Sequence, residues 1–215
     1  MIRAVFFDVD GVLIDSLEPH LQITRDLAEE FGVLAQVPSA EEFKDLVRSR
    51  PVSPMKAFFE ACGYSADLAA RADARYRTEF TSNYAPSLFP HVPALLTTLN
   101  AAGVPMGIAT LNVLRNIIPS LGEHMEVFHP ECLFEGGDAR AATKADALIC
   151  GARALGLLPD EILLVGDQIS DYTAARKAGT QFLGVTYGWG IYAHDTDFPV
   201  AHSTHDIAKH VLERQ

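Results

Sequence analysis

Three things are scarce in this chain. Cysteine occurs only at Cys62, Cys132 and Cys150 among 215 residues, and no two are close enough for a zinc or redox motif. They read as reduced core residues. Positive charge is scarce too: 17 Lys and Arg face 28 Asp and Glu, a formal net charge of -11, whereas a grip on nucleic-acid phosphates needs clustered cations. Nucleic acid is therefore not an expected partner, and a small molecule takes its place. Long apolar runs are missing: none reaches the roughly 20 residues of a membrane span. The opening MIRAVFF runs straight into Asp8 and Asp10, leaving no secretory apolar region. The expected compartment is the cytoplasm, with no membrane contact. Acidity does not exclude a phosphorylated ligand, because a bound cation or a few basic groups reverse the field at one spot.

What is present is a hydrophobic fraction of 48%, enough for one substantial core and a small accessory domain. Short apolar runs at 4–7, 105–109, 132–134, 162–165 and 182–185 end near Gly, Pro or Asp and read as five parallel strands. Helical spacing lies between them, at about 92–102, 113–121, 145–155 and 172–178. Alternating strand and helix predicts an α/β fold, a doubly wound parallel sheet that binds ligands at the carboxyl ends of its strands. Residues 16–85 break the alternation. They carry helical patterns at 19–31, 41–47, 54–61 and 66–80 with turn points at Gly32, Pro51 and Gly63, which predicts an all-helical cap inserted into a core of residues 1–15 and 86–215.

Two acidic clusters stand at predicted strand ends. Asp8 and Asp10 in DVDG are two residues apart, so both carboxylates leave on one side, and Gly11 removes the side chain that would block a tight turn. A polar turn after a strand explains the same residues. In VGDQISD, Asp167 and Asp171 are four apart across a loop entering a helix; helix capping is the competing explanation. If parallel strands bring the clusters together, carboxylate repulsion demands a cation. An all-oxygen set without His or Cys suits Mg²⁺. Lys144 precedes a helical pattern and either aims its ammonium at this edge or lies in solvent. Thr110 and Asn112, with the backbone of Leu111 between them, follow a strand and offer donors to a phosphate oxygen or form an ordinary turn.

Taken in order, DVDGVL at 8–13, Thr110, Lys144 and GDQISD at 166–171 resemble the haloacid dehalogenase superfamily of aspartate-nucleophile phosphatases. The segments GGDARAATKADALICGARALGL and AARKAGTQFLGVTYGWG are similar to its phosphoglycolate phosphatase-like branch, in which a helical cap follows the first motif. The resemblance implies a Mg²⁺-dependent phosphatase acting on a small phosphorylated metabolite, with phosphoglycolate as the family's suggestion. It makes Asp8 the nucleophile and Asp10 the general acid/base. Asp8, the Asp10 carbonyl and Asp167 become metal ligands, with Asp171 supporting. Thr110 and Lys144 would hold the phosphoryl oxygens, with Gly11, Leu111 and Asn112 lining the phosphate loops.

Two positions depart from the branch: His91 stands where relatives usually have Gly, and Ala145 where they usually have Pro. For His91 packing is expected rather than substrate contact. The scattered histidines His194, His202, His205 and His210 read as solvated, and Trp189 as packing in a loop that could close near the site. Asp10 argues against dehalogenation. A phosphomutase or a phosphonate hydrolase is the alternative enzyme, the latter needing a cap lysine such as Lys44 or Lys56 in the site. A catalytically silent binding module is the alternative outside enzymes. Oligomeric state is not fixed by the sequence.

Overall fold

In the computed structural model, which describes residues 1–50, 52–195 and 197–215, Ala4–Phe7 is strand β1 and is buried along its whole length. Pro51, one of the expected turn points, lies outside the described residues. Alternation divides β1 between two cores: Val5 and Phe7 belong to one hydrophobic cluster, Ala4 and Phe6 to another. Burial on both faces is what a parallel sheet covered by helices requires.

The further strands are β2 (Ile14–Asp15), β3 (Ser87–Leu88), β4 (Met106–Ala109), β5 (Phe128–Phe134), β6 (Ile162–Gly166), β7 (Gln181–Val185) and β8 (Val200–Ala201). Six of them form one sheet in the order β5-β4-β1-β6-β7-β8, and every pairing is parallel. The five expected strands are all present. β8 was not expected, since two residues are too short to carry a periodic pattern. In the middle, Phe7 is in register with Ile108 of β4 and with Val165 of β6. The chain leaves β1 to build one side of the sheet and returns later to build the other. That reversal opens a crevice at the carboxyl ends of β1, β4 and β6.

Helices α1 (Leu17–Phe31), α2 (Ala40–Ser49), α3 (Met55–Ala61) and α4 (Ala66–Tyr84) close a third cluster of their own around Leu21, Phe58, Phe59 and Phe80. This is the helical cap. β2 and β3 pair antiparallel, Ile14 with Leu88 and Asp15 with Ser87, so the chain enters and leaves the cap side by side.

The core helices are α5 (Val92–Ala101), α6 (Leu114–Leu121), α7 (Lys144–Leu155), α8 (Ile169–Ala178) and α9 (Thr204–Leu212). Helix α9 was not among the expected helices. Ile207 and Val211, one turn apart, are fully buried in the first core. His194, His202 and His205 do stay exposed, while His210 is half-buried.

Candidate active site

Asp8 follows β1 directly, and its Oδ1 accepts the Val9 N–H at 2.8 Å. Asp10 is held at both oxygens: the Ser16 hydroxyl donates to Oδ1 at 2.5 Å and Asn112 Nδ2 donates to Oδ2 at 2.8 Å. Gly11 has φ 78°, a conformation that favours glycine. A Cβ there would also run into the Asp167 carboxylate and sit 3.1 Å from Trp189 Cδ1. Gly11 therefore serves the turn and the approach of the β6 loop; it does not line the cavity described below.

Asp167 follows β6 directly and is wholly buried. Its Oδ2 accepts the Trp189 N–H at 2.7 Å, whereas Oδ1 has no partner among the described residues. Asp171, in the first turn of α8, uses both oxygens. Oδ2 accepts the N–H groups of Asp167 and Gln168 at 3.2 and 3.1 Å, and Oδ1 receives the Lys144 ammonium at 2.5 Å. Capping and site residence are thus both true of one carboxylate. Lys144 Nζ also lies 2.9 Å from Asp8 Oδ2, and its side chain is 9% exposed, which removes the reading of a solvated lysine. A capping box of Thr143 and Asp146 starts α7 at Lys144. Ala145 stands second, where Pro is tolerated because no intrahelical N–H bond is made there.

Burial drives the electrostatics. Desolvation, resisted by Lys144 and reinforced by Asp171, pushes the Asp8 carboxyl up to about 7. Asp167 is pushed well above the carboxylate range by burial and by its neighbours Asp171 and Asp8. Burial opposes the charge of Lys144, but Asp171 and Asp8 outweigh it and raise its pKa. One ammonium does not neutralise this group. Oxygens of Asp8, Asp167 and Asp171 all lie within 4.8 Å of one another. With Asp167 Oδ1 orphaned and buried, the donor set fits a hard divalent cation.

Thr110 is buried beyond the end of β4, its hydroxyl accepting the Asn112 N–H at 3.1 Å. Thr110, Leu111 and Asn112 line one cavity with Asp8, Asp10, Lys144 and Asp171. The cap supplies its opposite wall, including His20, Asp73, Tyr76 and Arg77, and the loop after β7 supplies Trp189. The cap residues carry no motif; only Ser16, six residues past Asp10, was within reach of local reading. His20 Nδ1 meets the Ser16 carbonyl at 2.5 Å and Nε2 the Tyr76 hydroxyl at 3.0 Å, while burial holds its pKa below the usual value. Trp189 packs edge-on against His20 and Phe43, centroids 5.4 and 5.5 Å away. His91 is exposed at φ 65° and lies outside this cavity, so the expected packing role is corrected: the left-handed backbone is what favours Gly there.

Residues 5–185 match the family model described as haloacid dehalogenase-like hydrolase. The chain belongs to that family. A phosphoglycolate phosphatase from Vibrio parahaemolyticus is 31% identical over 210 residues, covering 92% of this chain and 91% of the relative. The phosphoglycolate phosphatase of Escherichia coli K12 is 28% identical over 213 residues, covering 87% and 82%. A solved haloacid dehalogenase-like hydrolase from Streptococcus pneumoniae superposes with a TM-score of 0.79 at 26% identity, over 97% of this chain and 98% of that one. This haloacid dehalogenase-like hydrolase is accordingly a phosphatase, an enzyme of phosphoric monoesters. Among the described residues no helix is long and apolar enough to cross a membrane.

Proposed function

We propose that this phosphatase hydrolyses a small phosphorylated metabolite with Mg²⁺, through an aspartyl-phosphate on Asp8. The observation that carries the reading is the gathering of Asp8, Asp10, Thr110, Lys144, Asp167 and Asp171 at three adjacent strand ends, around the unpartnered Asp167 Oδ1. Residues 1–15 and 86–215 serve as the catalytic core and 16–85 as the cap. Mg²⁺, held by the Asp8 and Asp167 carboxylates and the Asp10 carbonyl, would supply charge that offsets the carboxylates and the phosphoryl oxygens.

An Asp8 oxygen attacks phosphorus as the bond to the alcohol oxygen breaks, and protonated Asp10 gives that oxygen its proton. Asp10, now a carboxylate, takes a proton from the water that attacks the acyl phosphate, and Asp8 leaves as a carboxylate. Ser16 and Asn112 fix the Asp10 carboxyl through these exchanges. Lys144 and Thr110 hold the equatorial phosphoryl oxygens, where charge accumulates. Phosphoglycolate is the first compound to assay, because the relatives above are named for it. The unpaired cysteines agree with a cytoplasmic setting.

Two observations rank this above phosphonate hydrolysis: Lys44 borders a separate groove, and Lys56 pairs with Glu60 on the surface. The test is hydrolysis of p-nitrophenyl phosphate with Mg²⁺ and with chelator, beside Asp8→Asn. Turnover is expected with Mg²⁺ alone, falling at least about a thousandfold in the variant. Asp8→Asn at wild-type rate would remove the nucleophile assignment, and inactivity across a broad phosphate panel would favour a silent binding module.

A further inference from the structure

Three buried side-chain polar atoms have no hydrogen-bond partner among the described residues: Asp167 Oδ1, Asp73 Oδ1 and Trp189 Nε1. A buried polar atom left unpaired is costly, and native structures contain few of them. The first belongs to the metal cluster. The other two belong to residues on the wall of the active-site cavity that is not occupied by the phosphoryl machinery. One is an acceptor and the other a donor.

Asp73 and Arg77 lie one turn apart on α4, and Arg77 Nε donates to Asp73 Oδ2 at 2.8 Å. An exposed i,i+4 ion pair would account for that bond. It leaves unexplained why Asp73 Oδ1 is buried without a partner among the described residues; the Arg77 side chain, 42% exposed, keeps its Nη groups without protein bonds among those residues and open to a ligand. Arg77 is the one Arg or Lys that the cap contributes to the cavity wall among those residues. In a chain of net charge -11, an anionic substrate tail needs such a local cation. The planar fork of an Arg matches a carboxylate.

Size narrows the choice. The cavity measures about 70 Å³, and at about 10–15 Å³ per water it has room for roughly five to seven waters. That favours a small substrate over a bulky one.

Resting on the phosphatase reading, we propose that Asp73, Arg77 and Trp189 form the subsite for the non-phosphoryl end of the substrate. It selects a short phosphorylated acid that also bears a free hydroxyl. Arg77 takes the carboxylate, Asp73 Oδ1 accepts the hydroxyl proton, and Trp189 Nε1 donates to an oxygen of the same end.

The test compares kcat/KM for 3-phosphoglycerate, 2-phosphoglycolate, glycerol 3-phosphate and p-nitrophenyl phosphate, in wild type and in Asp73→Ala, Arg77→Gln and Trp189→Phe. Phosphoglycolate lacks the hydroxyl and glycerol phosphate the carboxylate. Wild type is expected to favour phosphoglycerate over both by about tenfold or more. Asp73→Ala should erase the preference over phosphoglycolate, and Arg77→Gln the preference over glycerol phosphate. Trp189→Phe should lower turnover of phosphoglycerate more than that of the aryl ester. If a variant fails to fold, Asp73→Asn and Arg77→Lys are read by the same ratios. Equal losses on all four compounds, or no wild-type preference, overturn the subsite and leave the phosphatase standing. Wild type inactive on all four with Mg²⁺ removes both.

Discussion

Asn112 Nδ2 donates to Asp10 Oδ2 at 2.8 Å, tying the loop after β4 to the loop after β1. The amide oxygen is occupied as well, accepting the Val113 N–H at 2.8 Å and Asn116 Nδ2 at 3.2 Å. Asn112 is therefore a rigid brace for the proposed acid/base. Losing one hydrogen bond to a charged group is worth about 1.5–3 kcal/mol, so Asn112→Leu should lower kcat about ten- to a hundredfold. KM should barely move. Steady-state kinetics on an aryl phosphate decide it; unchanged kcat would show that Asp10 needs no brace.

Asp167 is a buried acid whose ionised form is costly without a cation, as its raised pKa records. Asp167→Asn should therefore melt higher than wild type in chelator, while losing most of the thermal stabilisation that Mg²⁺ gives wild type. Thermal unfolding with and without Mg²⁺ measures both. A variant that melts lower in chelator and still responds fully to Mg²⁺ would contradict the metal assignment.

Removing Lys144 strands two carboxylates in the interior. Lys144→Met is expected to lose about 3–5 kcal/mol of stability at neutral pH, the usual cost of breaking a buried pair from one side. Activity should vanish even where the variant is folded. Urea denaturation checks the first part and p-nitrophenyl phosphate turnover the second.

Arg48 on α2 bridges cap and core: it donates to the Gly190 carbonyl at 2.8 Å and to both oxygens of Asp195 at 2.8 and 3.1 Å. Arg48→Ala should lower kcat/KM about three- to fivefold, since a partly exposed pair contributes at most about 1 kcal/mol. The hydrogen bonds from Arg48 hold the Asp195 carboxyl below its usual value. A depressed folded-state pKa means stability that is complete above about pH 4 and lost as pH falls further. The stability gap between wild type and variant should be constant from pH 5 to 8 and shrink below pH 4.

His91 holds φ 65° at the start of α5. Relief of left-handed strain at about 1–2 kcal/mol, less about 0.4–1 kcal/mol for the added freedom of the unfolded chain, predicts that His91→Gly stabilises by about 0.5 kcal/mol. Denaturant midpoints test it, and His91→Val should move them the other way.

The legible part of the site was what lies next to a strand end. Asp8, Asp10, Thr110 and Asp167 each follow an apolar run that had to be a buried strand, so position along the chain translated directly into position in the crevice. Lys144 was legible only as one of two possibilities, because a lysine before a helix looks the same whether it is solvated or paired. Its burial depends on α7 packing beside α8, which brings Asp171 to it. His20, Asp73, Tyr76 and Arg77 sit on ordinary amphipathic helices, where polar residues facing a cavity and polar residues facing water obey the same spacing. Helix α9 was missed for a related reason: two buried residues one turn apart make too weak a stripe among polar neighbours.

By itself the sequence determined the alternating α/β core, the inserted helices and the types of side chain at the strand ends, because burial on a strand and the residues that follow it are local properties of the chain. The tertiary structure alone decided which polar atoms are paired. Asp171 has both oxygens satisfied, while Asp167, Asp73 and Trp189 each keep one buried atom without a partner among the described residues. Satisfaction of a hydrogen bond depends on groups far apart in the chain meeting within about 3 Å, and no spacing along the chain encodes that meeting.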